Sequence, residues 1–483
     1  MSYISIVHYL GLLLSLVGGV MAVPAVFGLV QHDAAGGALT AAAEITIICG
    51  GLAYFFTRKG RRPVTQREAL VIVVAAWFAV SAFGALPYYF SGALPTYLDS
   101  VFETMSGFTT TGATVMTHIG DQPDSILLWR SLTQWLGGMG IIMLFVALFP
   151  LLGIGAAQMA EAEMTGEKGE RLTSRITSTA KALWLIYFGF TLLCFGALLW
   201  AGLPLFDSVN ISLTTLPSGG FAPVDLSIEE YASVPVQLIV NFFMFIAGVN
   251  FALFYYVFMK GRPGKLFRNP EFKLYAALLA ATSIVLALDL TFHNIYPIGD
   301  ALRQGAFQAT TIMTSTGYSS ANFDEWPHLS RALLLILMVI GGSAGSTAGG
   351  LKVIRSLILF KYTYRRIILA YNPNAVIPIK VGGIVLPEKT ISRTVGMTVA
   401  FFAAMWGGFL TMSALGLNFE TALSSVATCL GNVGPGLAGV GPYENFAWIP
   451  GLGKIVLIVM MLAGRLELFT LLILLTPAFW RRY

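Results

Sequence analysis

Apolar residues run along this chain in blocks too long and too continuous for the faces of soluble helices. A helix needs roughly 20 apolar residues to cross a bilayer. Blocks near that size stand at 4–30, 40–57, 70–91, 126–150, 183–203, 235–259, 274–292, 330–354, 391–415 and 453–476. Between them lie four shorter, only moderately apolar segments at 97–112, 206–216, 301–313 and 419–430. Each of these is too short to cross as a helix, and each leads into a glycine-centred loop and another long block. The pattern predicts two leading helices within 1–57, then four units of long helix, short helix, Gly loop and long helix. The units occupy 70–150, 180–259, 273–354 and 390–477. The expected fold class is an all-α polytopic membrane protein with a fourfold pseudo-repeat, and such repeats organise a fold more reliably than any local motif.

Composition agrees with lipid as the main solvent. Of 483 residues, 56% are hydrophobic and only 11% charged, against about 25% charged in soluble domains; mean hydropathy is +0.75. The net charge of +5 comes from Lys and Arg crowded at 58–67, 260–273, 352–366 and Arg481-Arg482. That is loop bias beside membrane spans, and it carries no mark of a nucleic-acid binder. The loops after the glycines instead carry Asp121, Asp124, Asp225, Glu229, Glu230, Asp324, Glu325 and Glu444. Positive-inside bias therefore puts both termini in the cytoplasm and all four Gly loops outside. The first apolar block lacks a basic leader and reads as a retained span. Cys49, Cys194 and Cys429 sit in apolar blocks without ligand spacing and read as small buried hydrophobes.

The chemistry lies in the repeat. Aligned on Gly112, Gly220, Gly317 and Gly434, each unit has a hydroxyl six residues earlier: Ser106, Thr214, Thr311 and Thr428. Four residues earlier stands a large apolar residue: Phe108, Leu216, Met313 and Leu430. Near the start of each short segment is an acidic residue, Asp99, Asp207, Asp300 or Glu420, as suits a helix N-terminus. Irregular backbone at membrane depth is tolerated only inside protein or along a water-filled cavity. A half-crossing helix that ends in a Gly loop aims its negative end inward, towards a cation. Glycine reaches positive φ, so successive carbonyls can face one axis, and rings of carbonyls replace a potassium ion's hydration shell. The predicted ion ligands, mostly backbone carbonyls, are Thr110, Thr111 and Gly112; Ser218, Gly219 and Gly220; Ser315, Thr316 and Gly317; and Asn432, Val433 and Gly434. One such loop reads equally well as an ordinary turn. Four matched loops, each between two spans, read as a filter.

In these loops, their order and the two leading helices, the chain resembles the bacterial Trk-type potassium uptake subunit of the Trk/Ktr superfamily over essentially its whole length. The resemblance implies potassium uptake across the bacterial cytoplasmic (inner) membrane. It also implies a homodimer with a pore in each chain, and a cytoplasmic nucleotide-binding regulatory subunit docked on the basic loops and 355–390. Glycine in all four strands implies potassium selectivity. Pro217-Ser-Gly-Gly and Gly431-Asn-Val-Gly depart most from Thr-Thr-Thr-Gly, so unequal coordination is expected.

Residues 341–350 are all Gly, Ala, Ser or Thr, and each glycine costs a helix about 1 kcal/mol. Close packing by small residues would account for part of this; the density favours a helix break. By resemblance the break is an intramembrane gate comprising Gly345, Ser346, Thr347, Gly349 and Gly350, with Lys352 at its inner end. Arg465 and Glu467 fall inside the last block, where a charge costs roughly a few kcal/mol and needs a partner or the pore. A local Arg–Glu pair is one reading; the resemblance implies that Arg465 faces the pore below the filter and belongs to the gate. Arg130 reads as structural, near the outer interface, and Glu44 has no evident partner. The 434–439 match to G-x-G-x-x-G lacks the strand of a dinucleotide site, and no Walker A sequence is present. No enzyme activity or organic cofactor is expected, potassium being the transported ion. The ion-conducting subunit of an ATP-driven potassium pump shares this pore plan, but length and the leading helices favour the Trk type. A membrane-embedded transferase would need acidic metal ligands clustered at one interface.

Overall fold

The computed structural model describes residues 1–60, 64–147 and 170–481. The end of the first unit's last block (148–150), the stretch 151–169 and parts of the basic clusters (61–62, 482) lie outside the described residues. The described chain is almost entirely helical, with a single two-stranded hairpin, Lys380–Val381 against Ile384–Val385.

Two leading helices, Tyr3–Gln31 and Gly36–Thr57, form an antiparallel hairpin closed by small residues. A side chain on Gly11 would begin 2.8 Å from the Gly50 carbonyl, the close approach that helix pairs in lipid use for packing. The first long helix of unit one, Gln66–Gly84, breaks before Pro87 and resumes as Leu86–Ser91. The first long helices of the other units are Glu170–Trp200, Pro270–Phe292 and Glu388–Ala414. The four short helices are Tyr97–Phe108, Leu205–Thr215, Ile298–Met313 and Phe419–Gly431, and each has its acidic residue in the first turn.

The second long helices differ from the expected set of continuous spans. In unit one, Asp124–Ala147 runs unbroken. In unit three the helix stops at Ile340 and resumes only at Val353, continuing to Tyr371, well past the expected 354. Units two and four were expected to span without a break, and both are broken. Val234–Ala247 and Phe251–Phe258 meet at 95°, and Gly451–Arg465 and Phe469–Leu475 at 117°. The unit-two break holds Gly248 and Asn250, whose side chain caps the next helix at Ala252 N, 2.9 Å away. The unit-four break holds Glu467 and Leu468, both at positive φ. Among the described residues six helices are long and apolar enough to span, or eight if each bent pair counts as one. The core falls into two lobes: one packs units two and three together, the other packs the leading hairpin with units one and four. Cys194 and Cys429 are buried as expected, but Cys49 is exposed on the outer face of the second helix. Glu44 is exposed on the same helix, and its side chain has no hydrogen-bond partner among the described residues.

Candidate ion filter and gate

All four short helices end in the same way. Two residues before each glycine, Thr110, Ser218, Ser315 and Asn432 take left-handed φ values of 53°, 58°, 54° and 54°. The next N–H turns back to the carbonyl of the residue that carries the repeated hydroxyl. Thr111 donates to Ser106 at 2.8 Å, Gly219 to Thr214 at 2.9 Å, Thr316 to Thr311 at 2.8 Å and Val433 to Thr428 at 2.9 Å. This is the six-to-one helix ending that glycine usually supplies; here four hydroxyl or amide residues supply it. The hydroxyls six before each glycine share no further role: Ser106 Oγ and Thr311 Oγ1 are buried without a partner, whereas Thr214 and Thr428 are bonded.

The four glycines have φ of 83°, 76°, 81° and 108°. A Cβ on Gly112 would collide with the Gly219 carbonyl oxygen, one on Gly220 with that of Thr316, and one on Gly317 with that of Val433. A Cβ on Gly434 would begin 2.9 Å from the Thr111 oxygen. The order runs one to two, two to three, three to four and four to one. The loops therefore close a ring in which the carbonyl before each glycine lies against the glycine of the preceding unit. Positive φ and this close approach both exclude side chains, so glycine is required twice over.

A second ring of bonds lies beyond the first. Ile119 N donates to Asp225 Oδ1 at 2.7 Å, Glu229 N to the Ser319 carbonyl at 3.1 Å, Ala438 N to Asp324 Oδ1 at 3.0 Å, and Phe446 N to the Thr114 carbonyl at 2.8 Å. These again join one to two, two to three, three to four and four to one. Arg130 is buried and braces two exits at once. Its Nε pairs with Glu103 at 2.7 Å, its Nη1 donates to the Ala222 carbonyl at 2.9 Å, and its guanidinium lies 3.5 Å over the Phe221 ring. Glu103 accepts from Thr114 Oγ1 and Val115 N, both at 2.9 Å.

Residues 341–352 run directly beneath the ring. Thr347 Oγ1 bonds Ser218 Oγ at 2.8 Å and the Leu216 carbonyl at 3.0 Å, and Gly349 N donates to Ser315 Oγ at 2.5 Å. The loop is held from the unit-two break as well: Ser343 N donates to the Gly248 carbonyl at 3.0 Å, and Phe251 N to the Gly345 carbonyl at 2.9 Å. Glu271 Oε1 accepts from Ala344 N at 2.6 Å. Ser346 Oγ bonds Ser343 within the loop, Gly350 packs on Gly341, and Lys352 Nζ donates to the Ala348 carbonyl. Arg465 donates to the Thr347 carbonyl at 2.8 Å and to Gly137 at 3.2 Å. Glu467 pairs with Arg355 at 2.5 Å, so the local Arg465–Glu467 pair is not formed. Every predicted filter and gate residue thus falls in one region of the structure. Glu103 and Arg355 belong to it too, and nothing in the sequence pattern singled them out; nor did it show the bonds that Gln134 and Ser343 make.

The family described as "TrkH: Cation transport protein" matches residues 36–482. The chain is 39% identical over 485 residues to the Trk system potassium uptake protein TrkH of Salmonella typhimurium, all of both chains being covered. The chain belongs to the TrkH family. It is likewise 31% identical to TrkG of Escherichia coli over 89% of each chain. The crystal structure of the potassium transporter TrkH from Vibrio parahaemolyticus superposes with a TM-score of 0.92 at 37% identity, covering all of both chains. The all-α, multi-pass membrane fold is therefore that of TrkH, a family of transporters and not of enzymes.

Proposed function

We propose that this TrkH-family chain takes up potassium through the ring formed by Gly112, Gly220, Gly317 and Gly434, across the bacterial inner membrane and with both termini in the cytoplasm. One observation carries the reading: four carbonyls, each from the residue before a ring glycine, are interlocked in a closed fourfold order. Such rings supply oxygen in place of water to a dehydrated cation. The short helices add the negative ends of their dipoles from below. Segment 341–352, bonded to Ser218 and Ser315 beneath the ring, is the gate, and Arg465 places a positive charge on its Thr347 carbonyl. A cytoplasmic nucleotide-binding subunit acting on a homodimer would set the gate, in keeping with relatives that are named as parts of a Trk system.

The test is cation uptake by a potassium-uptake-deficient bacterial host carrying Gly112→Ser or Gly317→Ser. Each adds a side chain at positive φ against a neighbouring carbonyl. Potassium-over-sodium selectivity should fall by about tenfold or more, a change of roughly 1.4 kcal/mol in relative ion stabilisation. Unchanged selectivity in both variants would remove the filter assignment.

A further inference from the structure

Three filter strands carry a β-branched residue just before the glycine, Thr111, Thr316 and Val433, whereas the second carries Gly219. The space its side chain would take is filled from another unit. A Cβ on Gly219 would collide with the amide of Gln134, which projects from the unbroken second long helix of unit one. The amide straddles Gly220: Nε2 donates to the Gly219 carbonyl at 2.7 Å, and Oε1 accepts from Phe221 N at 3.1 Å. The other units lack this group. Three residues before Gly137, Ala247, Gly341 and Gly464, where each second long helix passes the filter, stand Gln134, Met244, Met338 and Met461. All four are completely buried. A buried amide costs about 1–3 kcal/mol unless its donors and acceptor are used, and strand two uses both ends of this one.

We propose that Gln134 is a specificity-determining positioning residue of the filter. It supplies from unit one the side chain that strand two lacks, and it withholds part of one ring carbonyl from the ion. The proposal rests on the filter assignment above. Among the described residues no donor reaches the Thr111, Thr316 or Val433 carbonyl. The Gly219 oxygen, already accepting from Gln134, offers a cation less negative potential than these three. A ring of lower field strength offsets less of a small ion's dehydration, so the deficit falls hardest on sodium.

The experiment measures potassium, rubidium and sodium fluxes of the full chain in proteoliposomes. Gln134→Met installs the residue of the other units and should lower potassium-over-sodium discrimination about tenfold, with rubidium following potassium. Gly219→Thr alone should abolish transport, because its side chain meets the Gln134 amide. Gly219 does not sit at positive φ, so the double variant Gln134→Ala/Gly219→Thr should recover transport, but with no donor to the carbonyl of residue 219 it should keep the roughly tenfold loss of discrimination. Gly112→Ser is run alongside. If it shifts discrimination while Gln134→Met stays within twofold of the parent, the role of Gln134 is refuted and the filter stands. If neither shifts it, the filter itself is refuted. If Gln134→Met does not fold, the double variant decides: transport with discrimination lowered about tenfold upholds the role, and discrimination within twofold of the parent overturns it.

Discussion

Arg355 Nη2 and Glu467 Oε2 stand 2.5 Å apart, joining the helix that leaves the 341–352 segment to the broken turn of unit four. Both side chains are buried. Removing one partner of such a pair strands a charge and costs about 3–5 kcal/mol, whereas replacing both by apolar residues is often neutral. Glu467→Ala should therefore lower the unfolding temperature in detergent sharply, and Arg355→Met/Glu467→Leu should recover most of the loss. A double variant no better than the single would show that the charges do more than satisfy each other.

Arg465 bonds unit four directly to the segment beneath the ring, through the carbonyl of Thr347. Arg465→Ala removes that bond and a buried positive charge. Rubidium flux through the chain alone, without a regulatory subunit, is expected to rise several-fold. Unchanged or lower flux would argue against a closing role for this arginine.

Glu103 and Arg130 hold the exits of strands one and two through Thr114, Val115 and Ala222. Arg130→Ala would leave Glu103 charged and buried, at a cost of about 3–5 kcal/mol. The expected result is a less stable protein whose remaining potassium transport is poorly selective, read from melting curves and flux ratios on one preparation. A stable, fully selective variant would make the ion pair dispensable.

Asp33 connects the leading hairpin to unit one, accepting from Ser125 N and Ala35 N at 2.9 Å and from Gly36 N at 3.0 Å. Partial burial raises its carboxyl, but the bonds from Ser125, Ala35 and Gly36 together prevail and hold it below the ordinary 3.8. A depressed carboxylate contributes stability that is present above its unfolded value and is lost as pH falls through its folded value. Hydrogen exchange at 28–36 should therefore quicken, beyond the intrinsic pH trend, below about pH 4. In Asp33→Ala that extra acid dependence should vanish; if it persists, another group is responsible.

The repeat was legible because bilayer physics writes it into hydropathy, and because Gly112, Gly220, Gly317 and Gly434 each answer the same steric demand. The density of small residues at 341–350 likewise announced a break. The breaks at 248–250 and 466–468 carried no such signal. Gly248 and Asn250 sit in an otherwise apolar run, and the backbone groups freed there are satisfied by Ser343 and Gly345, about a hundred residues away. Glu467 looked like a partner for its near neighbour Arg465, yet its partner is Arg355, on another unit. The bonds of Gln134 were illegible for the same reason: their meaning depends on the missing side chain of Gly219, in a different repeat. Periodicity reports what each unit shares. The bonds that join units are individual to each pair.

The ring closes between its first and last members. Asn432 Nδ2 donates to Thr111 Oγ1 at 2.9 Å across a sequence separation of 321, and Phe446 reaches back to Thr114. Ribosomes add about 5–20 residues per second, so strand one emerges roughly 15–60 s before the strand that flanks it. During that interval the ring is half built, with one side open and its polar loop without a neighbour. That seam lacks its neighbour until the final repeat arrives. A chain cut short anywhere before residue 430 would leave the seam exposed to lipid and to protease. Biosynthesis, as much as the finished architecture, thus has a stake in how tightly the first unit is held together.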